Sequence, residues 1–153
     1  MKNIRKATMS DISRIAEIEI FNYRLNFYPI FKNDIYYFHE LQVENEIEKF
    51  RQNNSLIDGI YVYDDSVIKG FIKINGQEIK KLFVEPVLHG QGVGTKLLSY
   101  AVKHHSASFL WVLEKNTRAI NFYRRNGFYL TGEKMIEEDT TEYLVRMEKQ
   151  YLS

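Results

Sequence analysis

Apolar residues are spaced differently in different parts of the chain, and each change of spacing marks an element. A short strand is expected from Ile4 to Thr8, followed by Ser10 as an N-cap. Ile12, Ile15, Ala16 and Ile20 then form one broad apolar stripe of a helix. From Tyr23 to Phe38 the period is lost and aromatics crowd the segment. A second helix is expected at about Tyr37 to Phe50, stopped by Asn53-Asn54. After Asp58-Gly59 the pattern becomes strand-like. Ile60 to Tyr63, the turn Asp64-Asp65-Ser66 and Val67 to Ile74 read as a hairpin, and Asn75-Gly76 turns the chain into a third strand, Ile79 to Glu85.

Helical spacing returns from about Gly92 to His105, where Val93, Leu97, Leu98, Ala101 and Val102 share a face. The continuous apolar run Phe109 to Leu113 predicts a strand covered on both faces. Thr117 to Asn126 predicts a helix closed by Gly127, and two strands, about Phe128 to Lys134 and Thr141 to Glu148, complete the order β-α-α-β-β-β-α-β-α-β-β. This alternation implies a mixed α/β fold. With 153 residues and no linker, repeat or low-complexity tract, the expectation is one domain over 1–153.

The composition removes several functions. A net charge of +1 gives no reason to expect nucleic acid or an anionic membrane as partner. The absence of cysteine removes disulfides, thiolate zinc sites and a thiol nucleophile. His104 and His105 are adjacent and diverge on a helix, and no histidine or carboxylate spacing suggests a metal. No apolar run reaches the ~20 residues of a membrane span, and the N-terminus does not resemble a signal peptide. A cytoplasmic protein, monomeric or homodimeric, is expected.

The chemistry concentrates in His89-Gly90-Gln91-Gly92-Val93-Gly94-Thr95, three alternating glycines before an apolar-periodic helix. Glycine allows a tight turn and close approach of a ligand to the backbone, and the first turn of a helix presents unpaired N–H groups to an anion. A phosphate cradle and a plain connecting turn both fit this spacing. A Walker loop does not fit, because Thr95-Lys96 stands in the wrong order. A dinucleotide fingerprint fits poorly after an antiparallel meander.

The turn resembles the coenzyme A loop of the GNAT (GCN5-related N-acetyltransferase) family, Arg/Gln-x-x-Gly-x-Gly/Ala, with Gly92 and Gly94 at the two small positions. His89 stands where the family has Arg or Gln. Downstream, Asn116, Ala119, Phe122, Tyr123, Gly127 and Phe128 match the family run Asn-x-x-Ala-x-x-Phe-Tyr-x-x-x-Gly-Phe. The resemblance implies a mostly antiparallel, twisted sheet of six to seven strands flanked by four helices, with the fourth strand bulged and splayed from the fifth. It also implies acetyl-CoA as donor, no metal, and direct attack by a primary amine of a small molecule or peptide.

On that resemblance, Leu82, Phe83 and Val84 would offer backbone groups to the acetyl and pantetheine portions. His89, Gly90, Gln91, Gly92, Val93, Gly94 and Thr95 would hold the pyrophosphate, while Asn116 would cap the helix or bind the pantetheine arm, two compatible roles. Tyr123 would be the general acid. By periodicity alone Tyr123 reads as a packing aromatic with Ala119 and Phe122. Glu85 and Glu78 are candidate bases acting through water, as is the more remote His39. Each carboxylate also reads as a solvated strand-end group. The aromatic segment, chiefly Tyr23, Phe27 and Tyr28, would wall the acceptor site, or else pack against the sheet. A CoA-binding sensor or protein-interaction module without turnover is the competing reading.

Overall fold

The computed structural model describes residues 2–151. Seven strands form one sheet: β1 (Ile4–Lys6), β2 (Ile60–Asp65), β3 (Val67–Asn75), β4 (Glu78–Val84), β5 (Phe109–Leu113), β6 (Phe128–Ile136) and β7 (Tyr143–Lys149). Their order is β1-β2-β3-β4-β5-β7-β6, with every pair antiparallel except β4–β5. The single parallel pair follows from the connection between those strands, which runs through a helix; a hairpin cannot make it.

The helices are α1 (Ile12–Asn22), the short α2 (Tyr28–Phe31), α3 (Val43–Gln52), α4 (Val93–His105) and α5 (Thr117–Arg125), five where four were expected. α1 and α3 cover one face of the sheet, burying Ile15, Ile18 and Phe50 against Val62 and Phe71. α4 and α5 cover the other, where Leu97, Leu98, Ala101 and Ile120 meet Ile72, Leu110 and Met147. The alternation along β3 accounts for both layers: Phe71 and Ile72 are fully buried on opposite faces.

Three expectations change. The second helix begins at Val43, and Tyr36–Glu40 instead makes a π-helical turn, like Tyr23–Phe27 after α1. Each π turn holds an extra residue, so the apolar period expected of an α-helix disappears there. Ser10, expected as the N-cap, lies inside a 3-10 turn, Met9–Asp11, capped by Thr8; Asp11 takes the N-cap position of α1, and its Oδ2 accepts from the Thr8 amide at 2.8 Å to close the turn. The β5 run is only partly covered on one face. There Phe109 and Trp111 are half-buried, and the Arg146 guanidinium lies over them at 4.0 and 5.9 Å from the ring centroids.

Asp11 also ties three elements together. Arg5 on β1 donates to both its oxygens, at 2.8 and 3.0 Å, and reaches Asp64 on β2 at 3.1 Å. The Arg5 hydrogen bond holds the Asp11 carboxyl below the usual carboxylate range, against the opposing effect of its burial. A group with a depressed native pKa stabilises the fold above its unfolded value, near 4, and that contribution fades as pH falls through the native value. Asp11→Asn is therefore expected to cost about 1–3 kcal/mol at pH 7, measured by urea unfolding. The loss should shrink below about pH 4; an equal loss at both pH values contradicts this role.

Candidate active site

The site begins where β4 leaves β5. Only Glu78–Phe109 and Ile79–Leu110 pair across these strands. Opposite β3, Lys81 faces Lys73 and Ile79 faces Ile74, so Lys80 is the extra residue of a bulge in β4. Beyond it β4 continues along β3 but turns away from β5, leaving a wedge between them. The Glu85 amide donates to Lys69 O at 2.9 Å. Alternation along the antiparallel pair then turns the backbone groups of Leu82 and Val84 to the open edge and those of Phe83 to β3. Val84 O confirms its direction: it accepts from Asn22 Nδ2 and from His89, both at 2.9 Å.

The glycine turn closes one end of this wedge. Gly90 and Gly92 have φ of 86° and 83°, conformations that side-chain-bearing residues rarely adopt. A Cβ at either would meet nothing within 4 Å, so the turn is open on the side where a ligand would lie. Gly92 caps α4, whose 13 residues direct the unpaired N–H groups of Val93, Gly94 and Thr95 the same way. Gly94 serves packing as well: a Cβ there would sit 3.3 Å from the Phe122 ring. The cleft bordered by this turn, β4 and α5 measures about 400 Å³, and Asn22, Arg118 and Arg125 join its lining. Gln91 is exposed and does not line it.

His89 was expected to contact the pyrophosphate, but both its ring nitrogens are engaged. Nε2 donates to Val84 O, and Nδ1 accepts from Arg118 at 2.5 Å. This pattern is that of a neutral imidazole, and burial, aided by the Arg118 charge, pulls the pKa below the ordinary histidine value against the Val84 hydrogen bond. The ring therefore bridges the end of β4 to α5. The cations bordering the cleft are Arg118 and Arg125, residues the sequence patterns did not single out.

Asn116 and Tyr123 stand where this cleft meets a second one. Asn116 caps α5, its Oδ1 accepting from the Ala119 amide at 3.2 Å. Tyr123 is 8% exposed, packed edge-on against Phe122 and Phe128, and its hydroxyl has no hydrogen-bond partner among the described residues. Burial pushes that hydroxyl well above the ordinary tyrosine value. Leu82, Phe83, Asn116, Ala119 and Tyr123 line both clefts.

The second cleft, about 700 Å³, lies between the aromatic segment, β4, β5 and the β6–β7 connection. Tyr23, Phe27, Phe31, Tyr36 and Tyr37 line it. Tyr28 does not: it packs edge-on against Tyr37 and Phe38 and donates to Asp34 at 2.6 Å. The Tyr23 hydroxyl donates to Glu19 at 2.5 Å; burial first, then the Glu19 charge, raises its pKa.

The carboxylates expected as bases stand elsewhere. Glu85 is 9% exposed, accepts from Arg14 at 2.9 Å and lines neither cleft; Glu78 is paired with Lys80. His39 lies on an exposed turn and also lines neither. Trp111 and residues 137–140 do line the second cleft and were not anticipated.

Known proteins resemble this chain in sequence and in fold. Residues 57–130 match the family model of an acetyltransferase (GNAT) domain, a span that holds β2 through α5 and the glycine turn. A peptidyl-lysine N-acetyltransferase, YjaB of Salmonella typhimurium, is 32% identical over 79 residues, 52% of this chain and 54% of its own. An uncharacterized N-acetyltransferase of Methanocaldococcus jannaschii is 31% identical over 134 residues, 82% and 59% of the two chains. The chain thus spans about half the length of the first relative and under two thirds of the second. In structure, the PaiA N-acetyltransferase of Thermoplasma acidophilum, solved with coenzyme A, superposes with a TM-score of 0.68 at 23% identity, over 97% of this chain and 98% of that one. That likeness is one of overall fold. Residues 57–130 of the chain thus carry a GNAT acetyltransferase domain.

Proposed function

We propose that this protein is an N-acetyltransferase that binds acetyl-CoA in the cleft of the glycine turn and transfers its acetyl group to a primary amine from the aromatic cleft. The observation that carries the reading is the meeting of the two clefts at one buried, unpartnered phenol, Tyr123, beside the free edge of β4. Structural relatives solved with coenzyme A or acetyl-CoA support the choice of donor.

In this reading the amides of Val93, Gly94 and Thr95, with Arg118 beside them, hold the diphosphate. The turned-out amides of Leu82 and Val84 align the pantetheine arm, and one of them polarises the acetyl carbonyl. Acetyl-CoA supplies a thioester, from which a C–N bond forms as the C–S bond breaks. Tyr123 gives its proton to the departing thiolate; its raised pKa keeps it protonated throughout the neutral range. The excess proton of the amine leaves through solvent in the open second cleft. The engagement of Glu85 by Arg14 favours this route over a strand-end carboxylate. The sensor reading lacks a comparable observation, since binding alone has no use for a phenol held free at the junction.

At a hundred times its Kd, acetyl-CoA is expected to raise the melting temperature by roughly 5–10 °C, while ATP and NAD leave it unchanged. Gly92→Val, which forces a branched side chain into a left-handed backbone at about 1–3 kcal/mol and fills the cradle, should abolish that shift while the protein remains folded. An equal shift with ATP contradicts the donor assignment. Tyr123→Phe is expected to lower kcat for thiol release about 10²–10⁴-fold with the acetyl-CoA Kd unchanged; wild-type kcat in that variant removes Tyr123 as the acid.

A further inference from the structure

The second cleft carries negative charge that its own walls do not neutralise. Its lysines are occupied: Lys81 pairs with Glu19 at 2.6 Å and Lys80 with Glu78 at 3.5 Å. Around the β6–β7 connection, Lys134 pairs with Glu114 at 2.5 Å and Lys115 with Glu142 at 3.0 Å. Glu137, Glu138 and Asp139 lie in the same connection and line the cleft, yet no ion pair joins any of them to a described residue. The Glu137 amide donates to Glu142 O at 2.8 Å and the Thr140 amide to Glu137 O at 3.1 Å, which fixes the turn against the cleft.

An independent feature points to a ligand at the same place. Tyr37 is 5% exposed and lines this cleft, and its hydroxyl has no hydrogen-bond partner among the described residues. Burial, then Tyr36, then the Glu137 charge push that hydroxyl up to about 12, so it stays neutral and its oxygen is free to accept a bond. The ring is buried while the hydroxyl oxygen itself keeps solvent access, and the cleft that Tyr37 lines is the direction from which a partner can come. Tyr36, Phe31 and Trp111 add ring faces, which attract cations.

Resting on the transfer reading above, we infer that the acceptor is an aliphatic amine bearing a second cationic centre, which Glu137, Glu138 and Asp139 attract and which donates to the Tyr37 hydroxyl while the reacting nitrogen lies toward Tyr123. A free diamine and a lysine flanked by a basic residue both supply this chemistry. A monoamine leaves the three carboxylates and the Tyr37 hydroxyl to solvent alone.

Thiol release is measured with cadaverine and with pentylamine, a chain of equal length lacking the second cation, and with N-blocked Lys-Arg and Lys-Glu dipeptides. Each dication is expected to exceed its control by about tenfold or more in kcat/KM, the sum of several partly exposed charge contacts. The triple variant Glu137→Gln, Glu138→Gln, Asp139→Asn is expected to lose that preference, with its fold checked by the acetyl-CoA melting shift. A higher rate with Lys-Arg than with cadaverine assigns the second cation to a peptide, and the reverse to a free diamine. Equal rates with cadaverine and pentylamine, or a preference that survives the triple variant, overturn the inference. If no amine is turned over, calorimetry with coenzyme A present decides. Cadaverine binding to the wild type but not to the variant keeps the cation site and removes the transfer reading, whereas no binding removes both.

Discussion

A parallel strand pair that is allowed to pair at only two positions leaves one edge of β4 without backbone partners in the middle of the molecule. Unpaired backbone groups in a protein interior are costly, and the fold treats this edge unequally. The Val84 carbonyl is satisfied twice, by Asn22 and His89. The outward amides of Leu82 and Val84 face the wedge. The bulge at Lys80 makes this possible, since it bends β4 away from β5 while β4 keeps its ladder with β3 to the end. The aromatic wall, the glycine turn and Tyr123 are arranged around that opening.

Two helices complete the site in different ways. α4 contributes only its N-terminus, and the left-handed Gly92 lets its first N–H groups face the cleft without a side chain in between. α5 contributes side chains: Asn116 from its cap, Tyr123 from its buried face, and Arg118 from its exposed face. His89 ties α5 to the sheet, binding the end of β4 through one nitrogen and Arg118 through the other. The lowered pKa of the ring favours the neutral form that joins a backbone carbonyl to a guanidinium, which ties the electrostatics of the turn to its geometry.

Much of this was legible in the sequence, because it depends on local constraints. The glycine turn, the Asn116 cap, the Gly127 stop and the strand-to-helix changes of period each leave a mark on a few consecutive residues. The resemblance to the GNAT family extended those marks to the splayed sheet. Long-range relations were not legible. Glu85 looks like a free strand-end carboxylate until Arg14, 71 positions earlier, is seen to bind it. Tyr28 and Tyr23 look equivalent in a run of aromatics, yet the π turn at Tyr23–Phe27 rotates one into the cleft and the other behind it. The acidic turn at Glu137–Asp139 reads as ordinary hairpin polarity, and only the folded sheet brings it opposite Tyr37.

The central claim is that main-chain N–H groups on two separate elements grip one extended ligand. Amide chemical shifts of the ¹⁵N-labelled protein, followed as coenzyme A is added, test it directly. The account predicts the largest displacements at Leu82 and Val84 on β4 and at Gly92 through Thr95 in the turn, saturating together at a single affinity. Displacements confined to the turn, or centred on the aromatic cleft with β4 silent, would contradict it.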